Sequence, residues 1–368
     1  MQWVQLDGSI GEGGGQILRT ALSLSALTGR PFVIRNIRAG RKNPGLRPQH
    51  LTAVRAVQQI CSATVTGATV NSTDLRFEPG PIRSGDYLFD ISAEQTSAGS
   101  IALVWQTVFP ILLFADAPST VGFLRGGTCV PFSPPIPYIS KVFLPMVEKM
   151  GVRTTLEMRR AGWYPRGGGQ VFSRIQPVSD PLRPILWTDR GDCDEIEVLS
   201  LYSRLPPSVG QRQANRAFQR LKEKGMSTKT IKVLVQEEPA DSPGTCLLIV
   251  CHFPAGRAGF SSLGAPGKPA ETVADEAVES FAEYWHRDAP VEKHLADQLL
   301  LFMALAEGTS KITVSHLTSH SETNIQVIQA FIGERCRVVG ERDQAATIEV
   351  SGISLLSQNR RRKEQTHQ

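Results

Sequence analysis

At 368 residues, with 41% hydrophobic and 20% charged positions, the chain has the length and composition of two or three ordinary globular domains. No apolar run is long enough for a bilayer helix, the longest (101–115) holds Pro110, and the N-terminus lacks a signal-peptide pattern, so no membrane partner is expected. A net charge of +5 admits a polyanionic partner, and six cysteines without a C-x-x-C pair point to a reducing cytoplasm rather than to a zinc site or a disulfide framework.

The chain opens with a short alternating strand (3–6), then DGSIGEGGGQILR (7–19), then an apolar run of helical spacing (17–27). Gly13, Gly14 and Gly15 sit between Glu12 and Gln16. Glycine is favoured where the backbone takes positive φ or approaches something closely. A helix starting after such a turn offers free N–H groups to an anion. The unit matches neither G-x-G-x-x-G nor a P-loop, so a phosphate cradle and a plain packing turn both remain open. Beside a cradle, Glu12 suits a metal ion.

A strand (31–37) leads into IRAGRKNPGLRPQH (37–50), which carries Arg38, Arg41, Lys42, Arg47 and His50 and no acid. With a helix at 48–60 behind it, this loop reads as a phosphate-recognition loop, because guanidinium forks bind phosphate oxygens. Strands at 64–70, 75–78 and 87–91 follow, then an apolar helix (97–114) in which Gln106 is the conspicuous polar residue. A strand at 120–124 enters RGGT, a helix spans 138–150, and a strand at 152–158 leads into GWYPRGGGQVF. GGGQ at 167–170 repeats GGGQ at 13–16, which suggests two or three copies of one α/β unit.

Prolines 181 and 184 and the turn DRGDCDE mark a boundary. Beyond it, β-α-β-β at 196–202, 211–224, 230–236 and 246–252 reads as a small separate α/β domain, with a further strand at 259–263. Helices at 271–286 and 291–305, a strand at 311–317, a helix at 321–333 with Ser321 as N-cap, and strands at 336–341 and 346–350 complete the pattern. The tail after Gly352 is basic. The expected domains are 1–182 (large, first part), 183–285 (small, inserted), 286–352 (large, last part) and 353–368 (tail).

His316 and His320 flank the turn SHLTSHSETN without a third ligand, so a metal site there is not expected. His320 precedes a helix N-terminus. The dipole there disfavours imidazolium, so the ring is expected to be neutral and nucleophilic near pH 7.

DGSIGEGGGQILR, IRAGRKNPGLRPQHL, SAGS…WQT, RGGT, YPRGGGQ, HLADQLLLFMALA and SHLTSHSETNI together resemble the RNA 3′-terminal phosphate cyclase family, from Asp7 to about Val350. The resemblance implies an α/β (α+β) fold: a large domain of repeated βαβ-type modules with a small inserted α/β domain, an architecture shared with enolpyruvyl transferases. It implies ATP-dependent conversion of an RNA 3′-phosphate end to a 2′,3′-cyclic phosphate, with Mg²⁺ or Mn²⁺ and release of AMP and pyrophosphate. His320 matches the nucleophile that carries AMP, and Glu12 the metal glutamate. Gln16, Arg19, Arg38, Arg41, Gln49 and Gln106 match polar residues around the phosphates. Asp297, with Gln298 beside it, matches the ribose contact, and Phe260 and Pro134 fall where adenine packs. His294 stands where relatives often have tyrosine, and Cys129 where polar residues are usual. A non-catalytic scaffold would be expected to lose the nucleophile and phosphate ligands, whereas this chain keeps His320, Glu12, Arg19, Arg38 and Arg41. An enolpyruvyl transferase would form no histidine adduct.

Overall fold

The computed structural model describes residues 2–93, 98–226 and 230–359. Ser97 of the expected 97–114 helix and residues 360–368 of the tail lie outside them. The fold is α+β and is built from one pattern used three times. The first module runs β1 (Val4–Asp7), α1 (Gln16–Thr28), β2 (Phe32–Arg35), α2 (Pro48–Cys61), β3 (Thr64–Thr66), β4 (Leu75–Glu78). Its sheet order is β1-β2-β4-β3, with β1 parallel to β2 and the other pairs antiparallel.

The second module runs β5 (Asp86–Asp90), α3 (Ile101–Leu112), β6 (Ser119–Gly126), then α4 (Ile136–Tyr138), a π-helical turn (Ile139–Phe143) and α5 (Leu144–Lys149), then β7 (Arg153–Arg160) and β8 (Gly169–Gln176). Its order, β5-β6-β8-β7, is the same, as is its pattern of one parallel and two antiparallel pairs.

The third module starts with the two-residue β9 (Leu186–Trp187) and is then interrupted. The interruption holds β10 (Glu195–Ser203), α6 (Pro207–Glu223), β11 (Thr230–Glu237), β12 (Gly244–His252), β13 (Arg257–Leu263) and α7 (Ala270–Trp285), whose strands pair among themselves as β11-β10-β12-β13. The module resumes with α8 (Lys293–Leu305), β14 (Thr309–Val314), α9 (Ser319–Ile332), β15 (Cys336–Val339) and β16 (Ala346–Ser351), in order β9-β14-β16-β15.

The three copies confirm the repeat, but not through the tetrapeptide that suggested it. Gly13–Gln16 enters α1, whereas Gly167–Gln170 enters β8, so the two occupy different places in their modules. Glycine serves a tight backbone in both, which is why the letters coincide. The strand expected at 64–70 stops at Thr66, because Gly67 turns the chain at φ 88°.

The helices of the modules pack on one another: α1 touches α2, α3 and α9, and ten of its thirteen residues are buried. Trp105 stacks on Phe109 at 4.3 Å, and Phe109, Phe143 and Phe302 join the second module to the third. Burying each such ring contributes roughly 2–3 kcal/mol. This core holds the start of α1 beside the starts of α8 and α9. Among the described residues no helix is long and apolar enough to cross a membrane.

Candidate active site

A cavity of about 1160 Å³ opens where the three modules and the inserted sheet meet. All thirteen residues singled out from the sequence line it: Glu12, Gln16, Arg19, Arg38, Arg41, Gln49, Gln106, Pro134, Phe260, His294, Asp297, Gln298 and His320.

The glycine turn is shaped by two demands. Gly13 sits at φ 55°, and a Cβ on Gly15 would lie 2.3 Å from His50 Nε2. Both reasons for glycine thus apply here, a left-handed backbone and a close approach. Gly15 stands at the N-cap of α1, where no side chain caps the helix.

His320 lies inside the first turn of α9, not before it. The cap is Thr318, whose hydroxyl accepts from Ser321 N, so Ser321 is a helical residue rather than the N-cap. Such a cap contributes about 1 kcal/mol. The His320 ring is held at both nitrogens. Nδ1 lies 2.6 Å from Gln16 Oε1 and 3.4 Å from Asp297 Oδ2, and Nε2 lies 3.0 Å from Glu12 Oε2. Gln16 Nε2 donates to Asp297 Oδ1 at 2.8 Å, which turns the Gln16 carbonyl toward the histidine. Nδ1 therefore carries a proton, and the other nitrogen is the one that can be freed as a lone pair.

The charge on this ring departs from the sequence expectation. Its pKa is raised above 6.5, chiefly by the hydrogen bond to Asp297, against burial, and further by the charges of Asp297 and Glu12, with Arg19 opposing. Two nearby carboxylates outweigh the dipole of one helix turn.

Asn324 completes the carboxylate side. Its Nδ2 donates to the Asp297 carbonyl at 3.0 Å and to Oδ1 at 3.2 Å, and its Oδ1 accepts from Thr20 at 2.8 Å. Glu12 also accepts from Ser319 Oγ at 2.9 Å and pairs with Arg41 at 3.3 Å. Among the described residues no three histidine, cysteine or acidic side chains are grouped to hold a metal ion.

The facing side is basic. The Arg19 guanidinium, half-buried, is lowered to about 10 by desolvation, with Asp297 pulling the other way. Arg38 Nη1 donates to the carbonyls of Asn43 (2.7 Å) and Gly45 (3.0 Å), so this residue also holds its own loop in shape. His50, placed in the basic loop by the sequence but given no role of its own, is buried here. It accepts at Nδ1 from Arg47 N (3.2 Å), and burial, then Arg19, Arg38 and Arg47, lowers its pKa to about 3. The available signal was its place three residues after Arg47 at a helix start. Gln49 Oε1 accepts from Ser100 N at 3.0 Å, tying α2 to α3.

At the far end, Gln106 donates to Gln298 (2.7 Å) and Gln298 to the His294 carbonyl (2.9 Å). Glu292 caps α8 through His294 N and Leu295 N, both at 2.7 Å, and accepts from the Tyr138 hydroxyl. That cap fixes the start of α8 and hence Asp297, one turn on. His294 is exposed at the rim, and Pro134 is half-buried. Phe260 is only 7% exposed and packs on Tyr284 at 5.1 Å between ring centres, so it presents an edge of the inserted sheet's core. His316 lies on the wall but bonds Glu283 (3.1 Å) and Ser315 (3.2 Å), away from the Glu12–Asp297 pair.

The family model described as RNA 3′-terminal phosphate cyclase matches residues 10–338. The chain is 44% identical over 333 residues to the RNA 3′-terminal phosphate cyclase of Gloeothece citriformis, covering 89% of this chain and 93% of that protein. It is 42% identical over 351 residues to the one of Pyrobaculum aerophilum, covering 95% and 98%. Among solved structures, the enolpyruvyl transferase NikO of Streptomyces tendae aligns over 95% of this chain and 81% of that one, at 12% identity and a TM-score of 0.26, too low to carry an argument.

Proposed function

The chain belongs to the RNA 3′-terminal phosphate cyclase family, and from that premise we propose that it converts an RNA 3′-phosphate end to a 2′,3′-cyclic phosphate with ATP, in RNA processing or repair, through AMP carried on His320. The observation that carries this reading is the chain Asp297–Gln16–His320, which puts the proton on Nδ1 and leaves Nε2 as the nucleophile.

In the first step the Nε2 lone pair attacks the α-phosphorus of ATP, a P–N bond forms, and pyrophosphate leaves with the electrons of the broken P–O bond. Nε2 must first shed its proton, and Glu12 at 3.0 Å is the adjacent acceptor. In the second step an oxygen of the RNA 3′-phosphate attacks the same phosphorus and the P–N bond breaks, returning the lone pair to His320. In the third the 2′-hydroxyl attacks the 3′-phosphorus, AMP leaves, and the hydroxyl proton passes to solvent. Splitting the transfer gives the 3′-phosphate a leaving group it lacks. Asp297 and Gln16 stabilise the ring while it carries the phosphoryl group. Arg19, Arg38, Arg41, Gln49 and the uncapped start of α1 face the phosphates. Gln106, Pro134, Phe260, His294 and Gln298, with Asp297 at the ribose, receive the adenosine.

Mg²⁺ or Mn²⁺ would offset charge on the triphosphate. Glu12 as the single carboxylate fits an ion held mostly by phosphate oxygens and water, not by a protein cage. The division into a large domain (1–182 and 286–352), an inserted domain (183–285) and a tail (353–368) belongs to the same proposal. The self-contained pairing of β10 to β13 supports it, and the pairing of β9 with β14 favours a first junction after Trp187 rather than at 182. Six free cysteines accord with a cytoplasmic location.

Matched oligonucleotides with a 3′-phosphate and either a ribose or a 2′-deoxyribose end test the reaction. Mass analysis should find a cyclic end on the first and a stalled adenylylated end on the second. A ribo end that yields neither product while the histidine adduct still forms would mean another AMP acceptor.

A further inference from the structure

Two aromatic rings at the cavity mouth are not used by any step above. Phe132 and Tyr164 both line the cavity, yet Phe132 is 104% exposed and Tyr164 69%. An exposed phenylalanine forfeits the burial that normally places it inside. Phe132 also sits at φ 61°, a left-handed conformation that is an outlier for a bulky residue and that clusters at ligand sites.

The two rings stand on tied loops. Thr128 N donates to Gly162 O at 2.9 Å, and Gly162 N donates back to Thr128 Oγ1 at 3.0 Å, joining the loop after β6 to the loop before β8. Ile136 N closes the first loop onto Thr128 O (2.9 Å), and Gly167 N closes the second onto Trp163 O (2.7 Å). The same loops reach the phosphate side: Gly127 N donates to Gly99 O at 2.8 Å, and the next residue, Ser100, donates to Gln49. The rim is thus continuous with the wall that carries Gln49 and Arg38.

We propose that Phe132 and Tyr164 form a stacking rim for the last bases of the single-stranded RNA 3′ end. The proposal rests on the cyclase reading and adds a base subsite to it. A strand whose terminal phosphate is held by Arg19, Arg38 and Gln49 leaves its bases to pass the mouth, where an aromatic face accepts any of them. The subsite therefore gives affinity without sequence preference. Adenine of ATP is the competing occupant, since Pro134 is two residues from Phe132; RNA is favoured because both rings stand outside at the mouth, whereas the Phe260 ring expected at adenine is almost wholly buried.

The test measures KM for a 3′-phosphorylated RNA together with AMP-adduct formation in the absence of RNA. Phe132→Ala should raise KM for RNA about ten-fold and Tyr164→Ala a few-fold, the range of one lost base stack. Adduct formation and its dependence on ATP should not move in either variant. Phe132→Trp should keep the wild-type KM, whereas Phe132→Leu should not. An RNA with an abasic terminal nucleotide should bind wild type and Phe132→Ala equally. Unchanged KM in both alanine variants, with cyclisation intact, would overturn the rim alone. So would a raised ATP requirement in Phe132→Ala, which would assign the ring to adenine. A wild-type chain that forms the adduct but neither binds nor cyclises RNA would overturn the rim and the cyclase reading together.

Discussion

The two walls of the cavity each hold a histidine, and they push it in opposite directions. On the carboxylate wall, Asp297 and Glu12 raise His320 above 6.5; on the arginine wall, burial with Arg19, Arg38 and Arg47 lowers His50 to about 3. The same side chain is thereby held toward its protonated form on one wall and kept neutral near pH 7 on the other. Neighbours, not residue type or position at a helix start, decide the role.

Replacing arginines tests the basic wall most severely. Arg38→Ala should lower turnover of a 3′-phosphorylated RNA by about ten- to a hundred-fold, since a charge-assisted bond to phosphate is worth roughly 1.5–3 kcal/mol and the loop also loses its tie to Asn43 and Gly45. Full turnover in this variant would reduce the loop to solvated surface.

The next effect lies on the acidic wall. Adduct formation needs Nε2 unprotonated, so its rate should rise with pH through a value above 6.5, and Asp297→Asn should shift that acid limb downward. An unmoved limb would show that Asp297 does not set the charge of the ring.

Arg41→Ala should cost less than Arg38→Ala, about a few-fold, because its pair with Glu12 is 43% exposed on both sides. A larger loss than in Arg38→Ala would reverse the ranking of the two arginines.

The last effect concerns stability. The folded value of His50 lies below its unfolded 6.5, so its contribution is fully present above 6.5 and is lost as pH falls toward about 3. His50→Gln should make the urea midpoint fall less steeply between pH 6.5 and 4, and an unchanged slope would place the ring in solvent.

Much of this was legible in the sequence where chemistry is local. The helix after the glycines, the basic loop and Pro48 at the start of α2 are short-range signals, and the structure follows them. The resemblance gathered thirteen residues that the fold brings to one cavity. What escaped was long-range. Gln16 meets Asp297 across 281 positions, so the chain that sets the His320 tautomer has no pattern to read. The two-residue β9 is too short for periodicity, and it is the strand that reveals the third copy interrupted by the inserted sheet. The GGGQ repeat pointed to the right architecture through positions that are not equivalent, and the raised His320 could not be foreseen from a helix dipole alone.

The central claim is that Nε2 of His320 carries AMP, and intact-mass analysis after incubation with ATP and Mg²⁺ or Mn²⁺ tests it directly. The wild-type chain and His316→Ala should each gain the mass of one AMP, labile to acid as a P–N bond is, and His320→Ala should gain none. An adduct that persists in His320→Ala would contradict the account and place the nucleophile elsewhere.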